Sequence, residues 1–209
     1  MKRLLAIVVV LFTALCTTAT AQTSGSEVLQ QMSAKLADMG SYRIDYALEM
    51  ATAETPSAGY LIVSDGGRFV IDIDGLKQGS DGEVVWVVNP LNKEITLDTP
   101  LPNSHSLFDN PTKAFDFAAE LFTEEYTEPT ADGGWRVVLL PKEGVLEGVE
   151  RVVVEIDKKS LLPTRLGYDL SGMGIWITID SVRPYTPAAH VFEVPTTEQY
   201  PDYEVIDFR

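Results

Sequence analysis

The segment 42–50 reads YRIDYALEM, and its bulky apolar side chains fall on every second residue. The positions between them carry Arg43, Asp45, Ala47 and Glu49. Because successive side chains of a β-strand point to opposite faces, this alternation predicts a strand with one face in a core and the other towards solvent. Such a strand needs neighbours to bury its apolar face, so the segment predicts a fold built around a β-sheet.

Short strand-like runs follow this segment at close spacing. They are predicted over residues 59–64, 68–74, 83–89 and 93–98. Asp, Asn, Gly and Pro residues separate them, which is typical of tight turns between neighbouring strands. Connections this short leave no room for crossover helices, so the runs predict an antiparallel meander rather than βαβ units.

The second half of the chain continues the pattern. Strands are predicted over 126–128, 135–140, 149–157, 164–169 and 175–182, and further apolar runs lie at 191–195 and 205–208. The total is about ten antiparallel strands, and a sheet of that size has to curl. We therefore predict a mainly β fold of the α+β class, in which the curled sheet has a concave face.

Two helices are predicted to cover that face. The capping-box pattern S-x-x-E at 24–27 precedes apolar residues at helical spacing, which predicts a helix over 26–39. An Asn-Pro pair at 110–111 is typical of an N-cap followed by proline at the first helical position, and predicts a second helix over 111–122. The second helix is rich in bulky apolar residues and is expected to pack against a broad surface.

Residues 1–21 match a secretory signal peptide. A basic start is followed by an apolar run over 4–15, which is short for a membrane anchor, and by the small-residue pattern A-T-A at 19–21. The mature protein is then expected to be a single exported domain over 22–209. The one cysteine, Cys16, falls in the signal segment, so no disulfide is expected in the mature domain.

The charge of the chain limits its partners. Its formal net charge is −15. Nucleic acids need a basic surface to neutralise their phosphates, and anionic membrane surfaces attract basic segments. The sequence therefore argues against nucleic acid and against adsorption to an anionic membrane.

No group of residues marks a catalytic or metal centre. His105 and His190 are the two histidines, and the nucleophile-elbow, zinc-peptidase and P-loop motifs are absent from the sequence. The stretch 72–75 begins like a calcium loop but lacks the further ligands. We predict no catalytic residue, no bound metal and no cofactor. A close pair of carboxylates inside a cavity would be the feature that favours an enzyme.

Several short motifs, taken in order, resemble one known family. GYLIV at 59–63 looks like its G-x-L-x-V strand, and Phe69 follows where the family has an aromatic residue. SDGEVVWVVNP at 80–90 is similar to its S-D-G-x-x-x-W-x-x-x-P segment. FEVP at 192–195 and VID at 205–207 resemble its closing motifs. The order and spacing of these motifs make nearly the whole mature chain resemble LolA, the periplasmic carrier of outer-membrane lipoproteins.

This resemblance implies a fold and a function. The family fold is an incomplete, strongly curved antiparallel barrel with a helical lid over a hydrophobic cavity that holds acyl chains. It implies no catalysis, a periplasmic location and a monomer. The implied partners are a lipoprotein or another acyl lipid, an inner-membrane ABC-type release complex and an outer-membrane acceptor. One segment departs from the family, because Ser64, Asp65 and Gly66 stand where it has a basic pair and proline. Arg68 is the candidate replacement for its lid latch.

The residues of the acyl-binding site are predicted from the apolar strand face and from the second helix. Those of the cavity wall are Ile44, Tyr46, Leu48, Phe69, Ile71 and Trp86. Those of the lid are Phe115, Phe117, Leu121 and Phe122. Their role is to replace water around the methylene groups of the ligand, at about 0.8 kcal/mol per buried CH₂.

Two other classes of protein remain compatible with the sequence alone. A module of the same fold with a filled core could bind a protein partner or another lipid as a sensor of the cell envelope. An outer-membrane β-barrel also has alternating strands after a signal peptide, but the two predicted helices argue against it.

Overall fold

A computed structural model describes residues 24–107 and 109–209, so the signal peptide predicted over 1–21 lies outside the described residues. The described part has one α-helix, α1, Gly25–Ala37, and 3₁₀ turns at Pro111–Lys113 and Ala189–Phe192. Its strands are β1 Tyr42–Met50, β2 Ser57–Ser64, β3 Arg68–Ile73, β4 Leu76–Ser80, β5 Val85–Asn89, β6 Glu94–Asp98, β7 Phe122–Pro129, β8 Trp135–Pro141, β9 Arg151–Ile156, β10 Pro163–Leu170, β11 Met173–Pro184 and β12 Glu204–Asp207.

All of these strands form one sheet in the order β12-β6-β5-β4-β3-β2-β1-β11-β10-β9-β8-β7. It consists of two antiparallel meanders, β1–β6 and β7–β11, joined where β1 pairs with β11. The last strand, β12, pairs parallel to β6. The sheet ends in β12 on one side and β7 on the other without closing, which confirms the predicted curved, incomplete barrel. Twelve strands replace the predicted ten, and β4 lies between the strands predicted over 68–74 and 83–89, where no strand was expected.

The larger core lies between α1 and the inner face of the sheet, the face towards which Ile44 and Ile71 point. The helix over 26–39 is confirmed, with a shift of a residue or two at its ends. It buries one stripe of apolar side chains, namely Val28, Leu29, Met32 and Leu36. Because strands from β1 to β3 and from β8 to β11 all contribute to this core, the sheet wraps around the helix.

The predicted capping box at the start of α1 is wrong. The Ser24 side chain makes no capping hydrogen bond. Instead, the carboxylate of Glu124 on β7 accepts hydrogen bonds from the backbone N–H groups of Gly25 (3.2 Å) and Ser26 (3.1 Å). A carboxylate satisfies the free N–H groups of a helix start and complements its dipole, so the sheet edge supplies the cap that the local sequence was expected to supply.

The predicted helix over 111–122 is also wrong. The chain makes a 3₁₀ turn at Pro111–Lys113, runs irregularly through residues 114–121 and enters β7 at Phe122. Phe115 and Phe117 are both buried while Asp116 between them is exposed, and residues 116–118 have neither helical nor turn conformation. Burial of these rings against α1 and the sheet therefore outweighs the helical propensity of the segment.

A second, smaller core lies on the outer face of the sheet. It is formed by Ile62, Val70, Trp86, Val88, Ile95, Leu97 and Phe192. The chain from the 3₁₀ turn at 189–192 to Tyr203 packs over it, and β12 fixes the end of this tail to β6. Residues 61–64 of β2 and 69–71 of β3 are consequently buried on both faces.

The expected orientation of Trp86 towards the concavity is wrong, since its ring belongs to this outer core. Trp86 pairs with Gly79 on β4, and a Cβ on Gly79 would lie 2.2 Å from the indole Cζ2. The indole Nε1–H donates to the carbonyl of Phe192 at 3.5 Å. A glycine on the outer face makes room for the ring there, and this fixes which face of β5 is the buried one.

Candidate ligand-binding cleft

A small apolar void lies at the centre of the inner core. It is lined by Ile44, Tyr46, Leu48, Leu61, Ile71, Ile73, Leu107, Phe115, Leu166, Ile177 and Ile179. Its volume is about 20 Å³. That is room for about one water-sized sphere and not for an acyl chain. The structure therefore shows an inner core that is almost filled.

A much larger cleft adjoins this void. It measures about 500 Å³ and lies between the connection from β6 to β7 (residues 99–121), the loop 144–149 and the ends of β10 and β11. Its apolar lining is Leu107, Val145, Leu146, Val149, Tyr168, Leu170, Ile175 and Ile177. This volume falls in the range of small-molecule and lipid sites.

Leu107 and Ile177 line both the void and the cleft, so their side chains form the partition between the two. Ile177 is on β11 and is held by the sheet, whereas Leu107 is on the β6–β7 connection. This connection is folded on itself by Asn110, whose side-chain amide donates to the carbonyls of Leu101 (3.5 Å) and Pro102 (3.2 Å). Ser104 likewise donates to Asp109 at 3.0 Å.

The polar residues of the cleft lie mainly on the β6–β7 connection and on loop 144–149. They are Asn103, Ser104, Ser106, Asp109 and Glu147. Asp109 and Glu147 are exposed, and they are the charged side chains among the described residues that line the cleft. The cleft thus has an apolar floor and an acidic, hydrogen-bonding rim.

The structure places the predicted wall residues in different regions of the molecule. Ile44, Tyr46, Leu48 and Ile71 line the void, and the predicted lid residue Phe115 closes it. Phe69 is buried in the same core but borders a separate surface depression near Gly66 and Pro100. Trp86 is on the opposite face of the sheet.

The remaining predicted lid residues lie away from the cleft. Phe117 and Phe122 are buried and stack edge to face with ring centroids 5.6 Å apart, and Leu121 packs against the same core. Ser33 of α1 donates to the carbonyl of Phe115 at 2.7 Å, which fixes this part of the connection to the helix. The residues of the connection that border the cleft precede this part and include Asn103, Leu107 and Asp109.

The predicted latch residue Arg68 contacts the outer cover instead of the lid. Its Nε donates to the carbonyl of Asp65 at 3.0 Å, and its Nη2 donates to the Ser64 hydroxyl at 3.3 Å. Its guanidinium carbon lies 5.3 Å from the ring centroid of Phe192, within range of a cation–π interaction. These contacts brace the β2–β3 turn and the tail.

Two tyrosines, Tyr46 and Tyr168, line the void and the cleft. Burial raises the pKa of Tyr168, which lines the cleft, and burial together with the negative charge of Asp72 raises the pKa of Tyr46. The Tyr46 hydroxyl is buried and has no hydrogen-bond partner among the described residues. Both groups are therefore neutral donors at physiological pH.

The residues that form the cleft were not predicted from the sequence. The signal that could have found them is the stretch GVLEGVE at 144–150, where Val145, Leu146 and Val149 are apolar although the flanking glycines are typical of a loop. Apolar side chains in a loop between two strands need a surface to cover, and here they cover the ends of β10 and β11. Leu107 gives the same signal on the β6–β7 connection.

The described residues contain no group of three or more side chains of the types that hold metals. Within the same ranges, the one α-helix is not of the length and hydropathy needed to cross a bilayer. A cleft of about 530 Å³ on the outer face lies between the sheet and the tail, next to Trp86 and Tyr200. It does not share lining residues with the inner void, so the cleft beside loop 144–149 is the candidate site.

Comparisons with known proteins place the chain by its fold. No protein-family model and no curated protein sequence matches it. A conserved protein of Thermus thermophilus, described as uncharacterized, aligns with 88% of this chain and 99% of its own at a TM-score of 0.58 and 12% identity. This shows a common fold.

Two further solved structures align at lower similarity. A LolA superfamily protein of Nitrosomonas europaea aligns with 82% of this chain and 98% of its own, at a TM-score of 0.44 and 10% identity. The lipoprotein LppX of Mycobacterium tuberculosis aligns with 78% of this chain and 99% of its own, at a TM-score of 0.44 and 12% identity.

Proposed function

We propose that this protein is a non-enzymatic carrier of the cell envelope that binds acyl chains in the cleft beside loop 144–149. The observation that carries the proposal is the continuity of apolar surface from the floor of this cleft, of about 500 Å³, to the void at the centre of the inner core. An acyl chain gains from leaving water for such a surface at about 0.8 kcal/mol per buried CH₂.

Binding involves a movement of the β6–β7 connection. The void of about 20 Å³ holds no chain in the present conformation, so a ligand that enters beyond the cleft displaces Leu107. The hydrogen bonds of Asn110 and Ser104 stay within the connection and can be kept while it moves. The fixed point of the movement is the Ser33–Phe115 hydrogen bond on α1.

The periplasm is the proposed compartment, and transfer of lipoprotein acyl chains towards the outer membrane is the proposed task. An inner-membrane ABC-type release complex and an outer-membrane acceptor are the corresponding partners. This part of the proposal rests on the motifs at 59–63, 80–90 and 192–195 and their likeness to the LolA family.

The experiment combines lipid analysis with a binding assay. Residues 22–209 are purified from an export system, extracted and examined by mass spectrometry for bound acyl lipids. Binding of a fluorescent monoacylglycerol is then measured by titration. We expect saturable binding and co-purified lipid; a protein that carries no lipid and shows no saturable uptake would refute the proposal.

A pair of variants assigns the binding to the cleft. Leu146→Asp puts a charge on the half-buried apolar floor and should weaken binding at least about tenfold, because burying a leucine is worth about 1.5–3 kcal/mol. Leu91→Asp makes the same change at a turn between β5 and β6 where the side chain is 92% exposed, and should leave affinity unchanged. Equal affinities of the two variants would exclude loop 144–149 from the site.

A filled-core module that binds a protein partner is the second candidate, and the small volume of the void favours it. On this alternative the β6–β7 connection stays closed. Hydrogen exchange decides between the two: acyl ligand changes the protection of residues 99–109 if the chain is a carrier and leaves it unchanged if the core is permanently filled.

A further inference from the structure

The rim of the cleft carries negative charge from both of its sides. Asp109 belongs to the β6–β7 connection and Glu147 to the opposite loop, and both are exposed. Among the described residues that line the cleft there is no lysine or arginine. Within this lining, a ligand headgroup at the rim therefore meets two carboxylates and no cation, since Lys113 lines the separate depression near Gly66 and Pro100.

The cations nearest in sequence to loop 144–149 are engaged elsewhere. Lys142 donates from Nζ to the carbonyl of Ala119 at 2.6 Å. Arg151 pairs with Glu125 of β7, with Nε 3.0 Å from the carboxylate. Glu143 and Glu150 flank the same loop, and the chain as a whole has a formal net charge of −15, so its surroundings add to the negative potential.

We propose that this rim makes the cleft selective for headgroup charge. It takes acyl esters, acyl amides and other amphiphiles whose headgroup is neutral or cationic, and it disfavours free fatty-acid anions and anionic phospholipids. The inference rests on the proposed acyl-binding function and adds the chemical class of the ligand. Two carboxylates near a headgroup repel an anionic headgroup across partly hydrated surroundings. We expect this repulsion to weaken the binding of an anionic amphiphile about three- to tenfold at low salt.

Glu147 is the residue through which the selectivity can be tested. Its side chain takes part in none of the hydrogen bonds or ion pairs found within the described ranges, and it is exposed on a loop, so its replacement should not disturb folding. Glu198 offers a matched control. It is exposed on the tail that covers the outer face, and it does not line the cleft.

The test compares three amphiphiles with the same chain: oleic acid, monooleoylglycerol and oleylamine. Each displaces a fluorescent monoacylglycerol at mildly alkaline pH, where the acid is an anion and the amine a cation, and below its aggregation concentration. For the unmodified protein we expect oleate to bind about three- to tenfold more weakly than monooleoylglycerol at low salt, and the difference to shrink at high salt as the charges are screened.

The charge-reversal variants complete the test. Glu147→Lys should reduce the preference for monooleoylglycerol over oleate by at least about threefold, whereas Glu198→Lys, with the same change in net charge, should leave it unaltered. The inference is overturned if oleate binds as tightly as monooleoylglycerol, or if both variants change the preference equally. If none of the three amphiphiles binds, the proposed function itself fails.

Discussion

The two cores of the sheet are closed in different ways. The outer core is covered by the tail of the chain, whose final strand is hydrogen-bonded to β6 along its length and whose Phe192 lies under Trp86 and Arg68. The inner core is covered by α1 and by an irregular connection, and beside that connection an unfilled cleft reaches the surface. A cover that ends in a strand is fixed to the sheet, whereas a cover made of a loop can move, so the inner face is the one suited to a ligand.

Replacement of Trp86 tests whether the outer core is as important to stability as the inner one. Trp86→Ala removes a ring that is 4% exposed and packs on Gly79, and should lower the free energy of unfolding by about 3–5 kcal/mol. The measurement is denaturant unfolding with an unchanged m-value. Trp176→Ala on β11 is the control of the same type. Because the Trp176 side chain is only half-buried, this variant should lose less unfolding free energy. Equal losses would mean that the tail does not bury Trp86 as the structure has it.

Met32 provides the corresponding test of the inner core. It is fully buried on α1, and Met32→Ala should cost about 2–5 kcal/mol, since the cavity left between helix and sheet cannot collapse completely. Met173→Ala, at a position 44% exposed, should stay within about 0.5 kcal/mol of the unmodified protein. A loss below about 1 kcal/mol for Met32→Ala would show that α1 is not packed tightly on the sheet.

Replacement of Tyr46 by phenylalanine should stabilise the protein, in contrast to the two replacements above. Its hydroxyl is buried without a described partner, and an unpaired buried polar group costs about 1–3 kcal/mol. Tyr46→Phe should therefore raise the free energy of unfolding by about 1 kcal/mol, whereas Tyr126→Phe, at a position 47% exposed, should change little. A destabilised Tyr46→Phe protein would show that the hydroxyl has a partner after all.

The smallest effect on the unfolding free energy is expected for Asp45, on the solvent side of the β1–β11 pair. Burial alone would raise the pKa of Asp45, but hydrogen bonds from Arg43, Ser181 and Arg183 outweigh it and lower the pKa. The stabilisation is therefore present at neutral pH, above the unfolded-state pKa, and is lost as the pH falls through the lower folded-state value. Asp45→Asn should cost at most about 1 kcal/mol at neutral pH, because such pairs are screened by solvent.

The pH dependence is the critical part of this prediction. The difference in unfolding free energy between Asp45→Asn and the unmodified protein should disappear in acid, once the carboxyl is protonated in both states. A difference that stays constant from neutral pH to acid would assign the effect to packing and not to charge.

Much of the sheet could be predicted because its signals are local. The alternation over 42–50 gives the strand and its buried face, and α1 follows from apolar residues at helical spacing. The stretch 111–122 gave a false helix, because Asn110-Pro111 is equally compatible with a 3₁₀ turn and tertiary burial of Phe115 and Phe117 decides the rest. Strand β4, LKQGS, is short and polar, and its neighbours in the sheet make it a strand.

The site was less predictable than the fold because it depends on contacts between distant parts of the chain. Apolar residues on both faces of β5 are compatible with either direction of Trp86, so the expected inward direction was wrong. The glycine that settles the direction, Gly79, lies on another strand. The cleft needs the β6–β7 connection and loop 144–149 to come together over β11. Neither loop has a periodic sequence pattern that predicts this contact.

The pairing of β1 with β11 has a consequence for the time course of folding. Within each meander a strand pairs with its neighbour in sequence, so each half of the sheet can form soon after its own residues are available. Side-chain hydrogen bonds across the seam between the halves join residues 129 to 138 positions apart, among them Glu49 with Thr178 and Asp45 with Arg183. Contacts at such a separation form slowly, because a long loop has to close first. Until that step, the apolar faces of two half-sheets are uncovered, and this interval is when the chain is most exposed to aggregation.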